Sequence, residues 1–167
     1  MTGTANGNGF PVCLWFDTQA EEAAEHYMAV FKNGSIGRVT RYPENSMREA
    51  GGVMTVEFEV NGQRFVGLNG GPMFTFNEAI SFQVPCDDQD EVDYYWERLS
   101  EGGEKGPCGW VKDRFGVSWQ VFPKELDDMV SDPDPAKASR AMEAMLKMGK
   151  IDLAGLRRAF AGETTGE

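Results

Sequence analysis

Gly109 to Pro123 reads GWVKDRFGVSWQVFP. Apolar and aromatic residues flank Asp113-Arg114-Phe115-Gly116, so the stretch reads as two strands joined by a turn. The second strand carries an amide, Gln120, between Trp119 and Val121. Upstream of it, Gly102-Gly103 ends a helical stretch that Asp88 and Glu91 begin. Val92, Tyr95, Trp96 and Leu99 form the buried stripe of that helix. Ala79 to Pro85 reads as the strand before it. The order is strand, helix, then two or three further strands ending at Phe122.

The same order appears in the first half. Phe10 to Phe16 (FPVCLWF) is an apolar run that reads as a buried strand. Thr18 and Glu21 have the spacing of a capping box, in which hydroxyl and carboxylate satisfy the first free amides of a helix. Ala20, Ala23, Ala24, Tyr27 and Phe31 give that helix one apolar face, and Asn33-Gly34 supplies its left-handed stop. Ser35 to Tyr42 is expected to be a strand and Pro43 to Gly52 a loop. Val53 to Val60 alternates, with Val56, Phe58 and Val60 on one face and Thr55, Glu57 and Glu59 on the other. Asn61-Gly62 suits a two-residue hairpin, because both central positions of a type I′ turn need positive φ. Gln63 to Asn69 returns, and Gly70-Gly71-Pro72 ends the strand. Laying Trp15 on Gln83 brings Glu22 onto Asp90, Glu25 onto Asp93, Tyr27 onto Tyr95 and Phe31 onto Leu99. An internal βαβββ duplication is the preferred explanation, against chance agreement of two ordinary βα units.

After Pro123 the pattern turns helical. Lys124 to Val130 makes a short helix. Asp134 caps the next, with Pro135 at its first position, where a missing N–H costs nothing. Ala138, Ala141, Met142, Met145 and Met148 are expected along one side. Asp152 caps a last helix, with Ile151 and Leu156 placed as a hydrophobic staple. This tail is basic. It suits docking on the acidic body, docking on a second subunit, or simple cover for its own domain. Residues 1–9 are polar and Gly-rich and are expected to be disordered.

The 167 residues, 41% hydrophobic, are those of a single globular domain with an appendage. A net charge of −11 argues against nucleic acid or an anionic membrane surface as partner. No apolar run approaches a spanning helix and no signal sequence is evident, so a cytoplasmic protein is expected. Cys13, Cys86 and Cys108 are widely spaced and read as buried free thiols rather than a disulfide framework. The single histidine, His26, is expected on a helix beside Tyr27, where it cannot build a His-rich metal site alone.

CLWFD followed by AEEAAEHY, VEFEVNGQRFVGLNGGP, FNEAISFQV and GWVKDRFGVSWQVFP resembles the PhnB-like branch of the vicinal oxygen chelate superfamily. That superfamily contains glyoxalase I, extradiol dioxygenases and bleomycin-resistance proteins. Some members carry the description 3-demethylubiquinone-9 3-methyltransferase. The resemblance implies an α+β fold of two βαβββ modules forming a cupped mixed sheet with outer helices, here with a C-terminal helical extension. The modules fall at 10–72 and 79–122, within a domain of 10–122, and the helices at 123–161. A homodimer is also implied.

Ligands of that superfamily bind in the cup, often at a metal held by one residue from each of four strands. By strand parity those positions fall here on Pro11, Gly67, Ala79 and Gln120. Three have no donor side chain, and a neutral amide is a feeble ligand for a divalent metal, so no metal and no cofactor are expected. The same parity turns Cys13, Trp15, Asn69, Ser81, Gln83, Ser118 and Gln120 into the cup, with Trp110 near its mouth. Such neutral hydrogen-bonding groups and indoles suit a small planar or weakly polar ligand. The alternative functions are an enzyme of the same fold, with Glu57 or the Pro43–Gly52 loop supplying acid/base chemistry, or the methyl transfer named by the family. For the latter, neither Gly70-Gly71-Pro72 nor Gly102-Gly103 lies between a strand and a helix, as a nucleotide-binding turn requires. An interaction protein is the third possibility.

Overall fold

The computed structural model describes residues 9–46 and 48–163. The expectation of disorder at residues 1–9 concerns a segment of which only Gly9 is described. The chain divides into two compact units, Met1–Thr75 and Phe76–Glu167.

The first unit runs β1 (Val12–Phe16), α1 (Ala20–Val30), β2 (Gly34–Arg41), β3 (Val53–Val60) and β4 (Gln63–Asn69). Its sheet has the order β1-β4-β3-β2, with β1 parallel to β4 and the other pairs antiparallel. Asn61 and Gly62 have φ of 48° and 81°, the left-handed geometry of the expected hairpin. The turn fixes the register Val60↔Gln63, Phe58↔Phe65 and Val56↔Gly67. One face of the sheet carries Leu14, Phe16, Val56, Phe58 and Phe65, all buried, and packs on the Ala23, Ala24 and Tyr27 face of α1. The Tyr27 and Phe58 ring centroids are 5.8 Å apart.

The second unit runs β5 (Ser81–Cys86), α2 (Gln89–Ser100), β6 (Glu104–Lys105), β7 (Trp110–Lys112) and β8 (Ser118–Pro123). Three helices follow: α3 (Glu125–Val130), α4 (Pro135–Met145) and α5 (Leu153–Ala161). The sheet order is β5-β8-β7-β6, with β5 parallel to β8, so the topology of the first unit is repeated strand for strand. Two four-stranded mixed sheets with helices give the α+β fold expected from the sequence. Asp88 accepts from the Glu91 amide as N-cap of α2, and Asp134 accepts from the Ala136 and Lys137 amides to start α4. Each such cap is worth about 1 kcal/mol. The tail helices share a core of Phe122, Leu126, Met129, Ala141, Ile151, Leu153 and Leu156.

Four local expectations are corrected. Helix α1 begins at Ala20 after Gln19, without a side-chain bond from its N-cap, so Thr18 forms no capping box. The Ala20 amide instead donates to Asn69 Oδ1 at 2.8 Å, and a residue distant in sequence caps the helix. Asp152 sits at the N-cap of α5 but makes no side-chain cap bond. On α4, Met142 is exposed and Ala144 joins Ala141 and Met145 against the tail core. Only Cys86 is a buried thiol, while Cys13 is exposed and Cys108 half-buried.

Candidate functional site

The open face of the second sheet follows from its register. Ser81 lies beside Ser118, Gln83 beside Gln120, Trp110 beside Gln120 and Lys112 beside Ser118. Residues paired in this way share a face. Phe82, Val84, Trp119 and Val121 alternate with them and face α2, the last three buried. Five expected site residues, Ser81, Gln83, Trp110, Ser118 and Gln120, are thus brought onto one surface.

Two features distinguish this surface. The Gln120 Nε2 donates to Ser81 Oγ at 2.8 Å, so amide and hydroxyl hold each other across β5 and β8. Ser118 is 2% exposed, and no hydrogen-bond partner among the described residues reaches its Oγ. A buried hydroxyl in that state costs about 1–3 kcal/mol. Ser118 borders a cavity of about 400 Å³ whose wall includes Trp110, Pro107 and Val111. Gly106 and the charged residues Glu78, Glu104, Lys105 and Lys112 stand around it. Lys112 Nζ meets Glu78 Oε1 at 2.5 Å. This hydrogen bond raises the Lys112 pKa and lowers that of Glu78, so the rim carries a closed ion pair. Both groups are solvated, and the pair adds little to stability. The cavity is therefore chiefly apolar, with a buried hydroxyl at its edge.

In the first unit the expected residues separate. Cys13 and Trp15 alternate with buried Leu14 and Phe16 and lie on the open face. Trp15 is already engaged: its Nε1 donates to the Gly71 carbonyl at 2.8 Å, and its ring meets Phe74 edge-on at 4.9 Å. The indole also lies over Gly70, where a Cβ would come within 2.2 Å of it. Asn69 was expected on the open face and is on the other. It is buried, caps α1 and donates from Nδ2 to the Val53 carbonyl at 3.0 Å. The hairpin register explains the correction, because it places Phe65, Gly67 and Asn69 on the face of Val56 and Phe58. Gly67 accordingly lies under α1, where a Cβ would stand 3.0 Å from that of Ala20.

A metal of the superfamily's kind does not fit these residues. Gly67 faces the helix, and its open-face neighbours Val66 and Leu68 have no donor atoms. Pro11 and Ala79 offer none either, and the Gln120 amide is bonded to Ser81. Among the described residues no three His, Cys, Asp or Glu side chains are grouped to hold a metal ion. Glu57 and Glu59 lie on the open face of β3, with Glu59 opposite Arg64. They line a shallow polar concavity with Ser35, Gly37 and Pro11.

Sequence reasoning missed Asp113. It is 2% exposed, and its Oδ1 accepts from the Phe115 and Val117 amides at 2.9 and 3.0 Å. Its Oδ2 accepts from Trp119 Nε1 at 2.8 Å. The carboxylate thereby fixes the turn between β7 and β8 and the strands that carry Trp110 and Ser118. An Asp at the first position of a turn was the available signal.

Among the described residues no helix is long and apolar enough to cross a membrane. The family model for 3-demethylubiquinone-9 3-methyltransferase matches residues 8–122. The PhnB protein from Bacillus cereus is 32% identical, with a TM-score of 0.58, over 66% of this chain and 95% of that one. The PA1353 protein from Pseudomonas aeruginosa shares the fold at 20% identity and a TM-score of 0.53, over 66% of this chain and 95% of that one. No curated protein matches. The chain belongs to the PhnB-like family, described as 3-demethylubiquinone-9 3-methyltransferase.

Proposed function

We propose that this protein binds a small, largely apolar and planar molecule on the open face of its second sheet, without a metal. The observation that carries this reading is the buried Ser118 hydroxyl, left without a partner beside the cavity walled by Trp110. A ligand whose entry moves the groups covering Ser118 brings a carbonyl or hydroxyl to that group, and its ring packs against the indole. The Ser81–Gln120 pair presents a further hydrogen-bonding point on the same face. Trp15, expected in the cup, lends less support because Gly70, Gly71 and Phe74 already occupy it.

Methyl transfer from a nucleotide-like donor receives no comparable support. Gly70-Gly71 leads from β4 into a non-helical segment, and Gly102-Gly103 leads from α2 into β6. A homodimer belongs to the same proposal, supported by β2, an edge strand exposed along its length with Ile36 and Val39 at the surface.

The test is a ligand-observed NMR screen of small aromatic carbonyl compounds against the intact protein, repeated with Trp110→Ala and Ser118→Ala. Binders that lose about tenfold or more in affinity in both variants support the reading. Binders indifferent to both variants, or binding only on addition of a divalent metal, overturn it. Calorimetry with S-adenosylmethionine decides the methyl-transfer alternative, and sedimentation decides the dimer.

A further inference from the structure

The family match ends at residue 122, and the chain beyond it is stitched back onto the cavity wall. The stitch is the segment 148–153, the end of the α4–α5 connection and the first residue of α5. The Cys108 amide donates to the Met148 carbonyl at 2.7 Å, and the Gly109 amide to the Gly149 carbonyl at 2.8 Å. Cys108 is held at a φ of 53°, a strained value for a residue with a side chain. Gly109 sits beneath Ile151, whose Cγ1 would be 3.2 Å from any Cβ placed there. These residues form the turn between Pro107 and Trp110, which are the apolar wall of the cavity.

The same segment is anchored at its other side to α2. Gln89 uses both ends of its amide, donating from Nε2 to the Ile151 carbonyl at 3.0 Å and accepting from the Leu153 amide at 2.8 Å. Lys150 meets Asp93 at 2.7 Å. Ile151 itself is fully buried in the tail core with Leu156. The tail is thus fastened between the start of α2 and the turn before β7.

We propose that the C-terminal extension is a positioning element for the ligand site: it holds the Pro107–Trp110 turn in the left-handed geometry that sets the cavity wall. This rests on the binding reading above for its consequence, but the mechanical link stands on the hydrogen bonds alone. The turn's strained residue has its amide fixed by a carbonyl from outside the family domain. The turn also closes on itself, the Trp110 amide donating to the Pro107 carbonyl at 2.9 Å, and the tail carbonyls add a second constraint that keeps Cys108 at positive φ.

The experiment compares the intact protein with Gln89→Ala and Ile151→Ala. Amide hydrogen exchange is followed at Cys108 and Gly109, with Val84 and Val56 as controls. Binding of the fluorescent probe 8-anilinonaphthalene-1-sulfonate is measured in parallel, with Trp110→Ala identifying the fraction bound at this cavity. Both variants are expected to speed exchange at Cys108 and Gly109 by about tenfold or more, leave the controls within about twofold, and weaken the Trp110-dependent probe binding several-fold. Unchanged exchange in both variants overturns the proposal, as does faster exchange with undiminished Trp110-dependent binding. If the intact protein shows no Trp110-dependent binding, the ligand reading fails instead, and the exchange result still decides whether the tail holds the turn.

Discussion

The buried carboxylate of Asp113 accepts the indole N–H of Trp119 at 2.8 Å, while its other oxygen takes two backbone amides of the same turn. A single side chain therefore ties the β7–β8 turn to the strand that crosses the sheet centre. Asp113→Ala leaves three donors without an acceptor in a buried place. The expected loss is about 3 kcal/mol of stability, and Asp113→Asn is expected to lose about half of that. Urea denaturation followed by tryptophan emission measures both; a change below about 1 kcal/mol for Asp113→Ala contradicts the assignment.

Asn69 is a scaffold residue by the same logic. Asn69→Ala removes the acceptor for the Ala20 amide and the donor to the Val53 carbonyl, at an expected cost of about 2 kcal/mol. Its effect on ligand binding is expected to be small beside that of Ser118→Ala. Denaturation and binding measured on the same samples separate the two roles.

Gly70→Ala drives a methyl group into the Trp15 ring. The indole has to swing away and give up the Gly71 carbonyl, with an expected destabilisation of about 1–3 kcal/mol and a red shift of the Trp15 emission. Identical emission and stability would show that the indole does not rest there.

The thiols differ in reactivity and in their effect at high pH. Burial, reinforced by the nearby carboxylates Glu91, Asp87 and Asp88, pushes the Cys86 pKa up to about 12. Iodoacetamide at pH 8 is expected to alkylate exposed Cys13 in the native protein and to spare Cys86 until unfolding. Desolvation raises the Cys13 pKa as well, so it reacts more slowly than a free thiol. Because Cys86 binds its proton more tightly in the folded state, the linked stability is complete below the ordinary thiol value near 9.0 and is lost as pH climbs from there toward about 12. Denaturation midpoints across that window, compared with Cys86→Ala, are expected to show a shallower alkaline decline in the variant.

Divalent metals are expected to leave the protein unaffected. Millimolar Mn²⁺, Ni²⁺ or Zn²⁺ should not raise its melting temperature, and Gln120→Glu should not create a stoichiometric site, since the other three positions lack donors. A stabilising shift with any of these ions in the intact protein refutes this.

Much of the fold was legible because its signals are local. The Asn61-Gly62 turn, the alternation of Val53 to Val60, the Asp88 cap and the Val92–Leu99 stripe each depend on residues a few positions apart. The errors arose where a distant group decided the outcome. Thr18 looked like a helix cap because Asn69, far along the chain, was not visible as its competitor. Parity alone puts Gly67 and Asn69 on the wrong face, because a strand's phase is set by its hairpin partner, and the register Val56↔Gly67 turns both toward α1. In the candidate site, the face shared by Ser81, Gln83, Trp110, Ser118 and Gln120 was readable from alternation alone. The burial of the Ser118 hydroxyl and the engagement of Trp15 were not, since both depend on groups that only the fold brings close.

The repeated strand order makes each position in one sheet answer to a position in the other. Trp15 on β1 answers to Gln83 on β5, and Leu68 on β4 to Gln120 on β8, through the equivalent parallel pairs. The chain thus contains an internal control for its own specialisation: one copy of the module has an open face closed by its own indole, and the other keeps a hydroxyl unspent. Exchanging face residues between the copies, with the backbone plan held constant, turns the duplication into an instrument for finding the smallest set of side chains that makes a sheet receptive.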